Sequence, residues 1–120
     1  MKFNANQYRG IHVALYACYD EHGEVNPQAV KRLARYYLDS GVKGLYVGGS
    51  SGKGMLQTVD ERKRTLEAVM EEVGGKMTII AHVGAAATRD SVELAKHAEA
   101  VGADAVSAVP SIYYRLSEEN

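Results

Sequence analysis

Residues 44–75 read GLYVGGSSGKGMLQTVDERKRTLEAVMEEVGG: a short strand, a glycine–serine loop, a capped helix and a stop. The helix start is explicit. Thr58 followed by Glu61 is a capping box, in which hydroxyl and carboxylate each take a backbone N–H that the first turn cannot satisfy. Leu66, Val69, Met70 and Val73 then recur at helical spacing, and the two glycines at 74 and 75 end the element.

The same unit recurs on both sides. Upstream, the apolar run IHVALYA at 11–17 precedes a turn at 20–23, with Asn26 as N-cap and Pro27 at the first helical position. Val30, Leu33, Ala34, Tyr37 and Leu38 form that helix's stripe, and Gly41 stops it. Downstream, MTIIAHV at 77–83 is a third strand. Thr88 reads as the N-cap of a third helix, with Val92, Ala95, Ala98 and Val101 on its apolar face and Gly102 as its stop. AVSAV at 105–109 is a fourth strand, and SEEN at 117–120 opens like another helix.

Strand starts therefore recur about every 30 residues, the length of a βα unit. Continuous apolar runs, rather than strict alternation, mark strands that helices cover in a parallel sheet. The expectation is an α/β chain of pattern (βα)3β, a single domain over residues 1–120. A doubly wound open sheet and a β/α barrel both begin this way. A complete eightfold barrel takes about 250 residues, so this chain corresponds to about half of one, its first and fourth strands left as open edges.

Bulk properties exclude several functions. The 120 residues carry 14 Lys+Arg against 15 Asp+Glu, a net charge of -1, which offers no field for nucleic acid or an anionic membrane. With 46% hydrophobic residues the chain can bury a core. Cys18 is the single cysteine, so no internal disulfide forms, and no Cys/His spacing resembles a zinc site; no metal or cofactor is expected. The polar N-terminus and the lack of a long apolar run point to a cytoplasmic protein.

The loop at 48–54 invites a phosphate assignment that its spacing refuses. Counting back from Gly52 and Lys53 puts Val47 at the first glycine of a P-loop, and Gly54 stands where its hydroxyl belongs. The dinucleotide pattern G-x-G-x-x-G fails too. Yet the loop follows a strand at its carboxyl end, where parallel α/β proteins bind ligands. Gly48 and Gly49 permit close backbone approach, and Ser50 and Ser51 add hydroxyl donors that suit a carboxylate. The alternative is a plain glycine-rich turn whose serines cap its own backbone.

The loop GLYVGGSSG, the helix start TVDER at 58–62, IIAHVG at 79–84 and DAVSAVPSIYY at 104–114 together resemble the N-acetylneuraminate lyase and dihydrodipicolinate synthase family of pyruvate-dependent aldolases. The likeness runs from Tyr8 onward, and GLYVGGS is closer to the lyase branch than to the synthase branch, which usually has GTTGE there. The resemblance implies a (β/α)8 TIM barrel in which a lysine forms a Schiff base with pyruvate; in the lyases, that chemistry splits N-acetylneuraminate into N-acetylmannosamine and pyruvate. It assigns the pyruvate carboxylate to Ser50 and Ser51, with Gly49 beside them, and gives Tyr113 a part in the hydroxyl network for proton transfer. It also implies a homo-oligomer, since family members are typically tetrameric. A dihydrodipicolinate synthase-like activity, a non-catalytic half-barrel that binds a carboxylate or self-associates, and a flavodoxin-like domain are the alternatives.

The chain departs from the family at three points. Lys53 replaces the glutamate that normally follows Ser-Ser-Gly, Ser111 replaces a frequent proline, and the family's Schiff-base lysine belongs to a strand beyond Asn120. Lys31, Lys63 and Lys96 fall on polar helix faces, and Lys43 and Lys76 at strand starts, the wrong end of the sheet; Lys53 alone is at the correct end. The chain by itself is therefore expected to be inactive. His82 and His12 read as bonded core histidines, Cys18 as a small hydrophobe, and the charges at 60–64 as a solvated helix face.

Overall fold

The computed structural model describes residues 4–110. Four strands, β1 (His12–Ala14), β2 (Gly44–Val47), β3 (Thr78–His82) and β4 (Ala105–Ser107), form one sheet in the order β1-β2-β3-β4, every pair parallel. Between them lie α1 (Pro27–Asp39), α2 (Val59–Val73) and α3 (Thr88–Val101). Sequential order separates the two architectures that the sequence allows. A doubly wound sheet reverses direction at a switch point, whereas a barrel adds each strand beside the last. This sheet is half of a (β/α)8 barrel.

Side-chain alternation shows how the layers meet. Leu45 and Val47 of β2 and Ile79 and Ala81 of β3 are buried against Val30 and Ala34 of α1, Leu66, Val69 and Val73 of α2, and Leu94 and Ala98 of α3, in one apolar core. Tyr46, Ile80 and Ala105 point the other way and line an open concavity of about 630 Å³ that corresponds to a barrel lumen. At the amino pole, a short 3-10 turn at Ala5–Tyr8 crosses this concave side. Thr78 Oγ1 donates to Gln7 O at 2.9 Å and the Tyr8 hydroxyl to Asp104 O at 3.2 Å.

Most helix signals act as expected. Asn26 accepts from Ala29 N at 3.1 Å with Pro27 in the first turn, and Thr58 and Glu61 exchange both bonds of the capping box, at 3.1 and 2.9 Å. The turn after the first strand is held by Asp20, whose carboxylate accepts from His22 N and Glu24 N. Three details are corrected. Ala87, not Thr88, is the N-cap of α3; Thr88 is already helical, so its hydroxyl is one position too late to reach the N2 and N3 amides, and the end has no side-chain cap. Leu94, not Val92, leads the buried face of α3, and Val92 stays exposed. β1, β3 and β4 are shorter than their apolar runs, because pairing ends where the chain turns away at the carboxyl pole. Among the described residues, no helix is long and apolar enough to cross a membrane.

Candidate functional site at the carboxyl pole

The loop after β2 is built by glycines at two points where geometry demands them. Gly48 has φ +83°, the left-handed region, and a Cβ on Gly54 would lie 2.0 Å from Gly48 O. The segment therefore folds back on its own start: Gly54 N–H donates to Gly49 O at 3.1 Å and Lys53 N–H to Ser50 O at 3.0 Å. Lys53 itself has φ 55°, a left-handed non-glycine residue of the kind that concentrates at functional loops. Gly49 is buried with the Tyr46 ring where its Cβ would be.

Ser50 and Ser51 stand exposed at the crest of this loop. The 3-10 turn that follows at Gly54–Leu56 has no side-chain cap, and α2 is capped by Thr58, so neither serine is spent on a helix start. Both follow the carboxyl end of β2, the strand whose Tyr46 hydroxyl donates to Ser107 Oγ at 3.2 Å across β3. Tyr113 and Ser111 lie outside the described residues. The site expected from the sequence is thus represented here by Gly49, Ser50 and Ser51.

Beneath the loop is a polar node. Arg62, 7% exposed, donates from Nη1 to Gly84 O at 2.8 Å and from Nη2 to His82 O at 2.8 Å, pinning the backbone on both sides of Val83. This corrects the expectation of a wholly solvated face at 60–64. Arg62 falls one helical turn before Leu66 and continues the stripe of Leu66, Val69 and Val73, so helical period carried the signal that charge obscured. His82 is the bonded core histidine expected, 3% exposed. Its Nδ1 lies 3.0 Å from Gly48 O, and its Nε2 accepts from Val109 N at 3.2 Å. Burial pushes its pKa down; the bond to Gly48 opposes that, and the Arg62 charge adds to it.

His12 is partly buried, with Nδ1 3.2 Å from Gly10 O. Burial pushes the Cys18 thiol up, partly offset by Arg32, so it stays a thiol packed on the core. Lys31 and Lys63 are held as ammonium ions above the usual lysine range, foremost by hydrogen bonds to Glu71 and Glu93. An amine that attacks a carbonyl needs the opposite shift. Lys43, Lys76 and Lys96 are exposed, the first two at the amino pole. No group of three or more His, Cys, Asp or Glu side chains that could hold a metal occurs among the described residues.

A parallel half-barrel with a glycine–serine loop at its carboxyl pole defines the class: a β/α-barrel chain of enzyme origin. Residues 7–120 match the Dihydrodipicolinate synthetase family, and the chain belongs to that family. It is 50% identical over 115 residues to an N-acetylneuraminate lyase of Mediterraneibacter gnavus, covering 96% of this chain and 36% of the relative. The wild-type sialic acid aldolase structure of Ruminococcus gnavus superimposes with a TM-score of 0.88 at 50% identity, covering 94% of this chain and 38% of that one. A dihydrodipicolinate synthase structure from Aquifex aeolicus is more distant, at 32% identity and a TM-score of 0.78 over 82% of this chain and 33% of its own. The chain thus lies on the lyase side of the family and spans a little over a third of the length of the curated relatives it matches.

Proposed function

We propose that this chain supplies the carboxylate-binding half of a Schiff-base aldolase of the N-acetylneuraminate lyase type. The observation that carries this is the 48–54 loop, folded on itself by Gly48 and Gly54 so that Ser50 and Ser51 crest the carboxyl pole. Their hydroxyls and the adjacent amides bind the carboxylate of pyruvate, and Gly49 leaves the room that the Tyr46 ring occupies beside the loop. Tyr113 contributes the hydroxyl that relays a proton. The substrate is then a 2-keto acid with its sugar partner, joined as the N-acetylneuraminate that the 50% identical relative is named for.

The lysine that forms the Schiff base is not among those on this half of the barrel, so the chain alone does not turn over. Lys31 and Lys63 are locked in ion pairs on the outer helices, and Lys53 is a solvated loop cation. Pyruvate with borohydride therefore leaves the mass of the isolated chain unchanged. A chimera in which this chain replaces the matching segment of the 50% identical lyase tests the positive side. It should release pyruvate from N-acetylneuraminate, and Ser50→Ala or Ser51→Ala should each raise the KM for N-acetylneuraminate about tenfold or more, the loss of a hydrogen bond to its carboxylate. A folded chimera indifferent to both serines would refute the carboxylate role.

A second possibility, a half-barrel that binds or self-associates without catalysis, is favoured by one observation. Among the described residues, Val106 of the edge strand β4 is 51% exposed although its register partner Ala81 is buried, and it lines the open concavity. Pairing of two such edges would satisfy the backbone groups that β4 leaves open.

A further inference from the structure

His82 touches two loops at once, and the direction of each hydrogen bond can be assigned. Val109 N–H donates to Nε2, so Nε2 carries no proton. In a neutral ring the proton then sits on Nδ1, where Gly48 O, 3.0 Å away, accepts it. The imidazolium is disfavoured twice over: it would set an N–H against the Val109 N–H, and it would stand beside the Arg62 guanidinium, whose Nη2, 3.3 Å from Nδ1, has its acceptor in His82 O at 2.8 Å and not in the ring. The ring's space is also built in, since a Cβ on Gly84 would lie 2.7 Å from Nε2.

Gly48 begins the serine loop, and Val109 stands four residues before Tyr113. We propose that His82 is a positioning residue, a neutral Nδ1–H imidazole that ties the start of the carboxylate loop to the segment after β4 and so fixes the two relative to each other. Arg62 holds the backbone that presents it, through His82 O and Gly84 O. The consequence for catalysis rests on the proposed carboxylate role of Ser50 and Ser51, but the mechanical tie does not.

Side-chain and amide NMR of the 15N-labelled chain at pH 7.5 tests it without any ligand. The expected result is a protonated Nδ1 and a bare Nε2 on His82; a proton on Nε2, or a charged ring, overturns the proposal, and this measurement needs no variant to fold. Two substitutions then separate the bonds. His82→Asn keeps a donor near the Nδ1 position only, and His82→Gln keeps an acceptor near the Nε2 position only. Amide shifts in the 48–54 loop should hold in His82→Asn and move in His82→Gln, with the reverse at Val109. Equal changes in both variants would mark a role in packing alone and defeat the tie. Absence of a pyruvate response at Ser50 and Ser51 would count against the carboxylate seat and leave these readouts unchanged, so the two ideas fail separately.

Discussion

Arg62 shows how one side chain can support a site that it does not enter. Its neighbours Asp60 and Arg64 are exposed, yet its own guanidinium is enclosed and spans Gly84 O and His82 O. Arg62→Leu keeps the apolar stem and abandons both carbonyls. It should cost about 3 kcal/mol in urea unfolding, since each buried acceptor left unmet costs on the order of 1–3 kcal/mol. Arg62→Lys should recover only part of this, because an ammonium lacks the fork. His82 adds a pH signature. Among the described residues, the charged and titratable groups around its ring include Arg62 from α2, Tyr46 from β2 and, across a small cavity, His97 from α3. Because its folded pKa is depressed below the ordinary value near 6.5, the unfolded chain binds the extra proton first. The stability contributed by the neutral ring is complete above that value and is lost as pH falls below it. Thermal midpoints at pH 7.5 and 5.5 should differ for the natural chain, and His82→Gln should narrow the difference; an unchanged gap would contradict the assignment.

At the scale of elements, capping chemistry was the most legible feature of the sequence, because each cap is local and needs no knowledge of the rest of the fold. Asn26 and the Thr58–Glu61 pair stand where their spacing put them. Thr88 misled, since a threonine just before a helical stripe can be the last residue outside the helix or the first inside it, and only the backbone decides. The difference is measurable: Thr58→Ala should cost about 1 kcal/mol, Thr88→Ala far less, and Ala87→Ser should gain up to about 1 kcal/mol by supplying the missing cap. Strand existence was also legible from apolar runs, whereas strand length was not. Pairing partners set the ends, and those are long-range. The 48–54 loop was half legible: its glycines and serines were plain, but the left-handed Lys53, the Tyr46 ring over Gly49 and the node of Arg62 and His82 depend on neighbours from other units.

For the whole molecule, the order β1-β2-β3-β4 leaves two outer strands with open edges and a concave face that closes only in a complete barrel. Under the proposed half-barrel reading, the 13.0 kDa chain should run as a monomer. A sharp dimer that Val106→Lys dissolves would instead favour self-association. The central claim concerns the loop itself, and titration of the labelled chain with pyruvate, followed by amide shifts, tests it most directly. Saturable shifts centred on Ser50, Ser51 and Gly52, absent with acetone and absent in a Ser50→Ala, Ser51→Ala double variant, are predicted; no saturable change there, or changes confined to the Lys43 and Lys76 pole, would contradict the account.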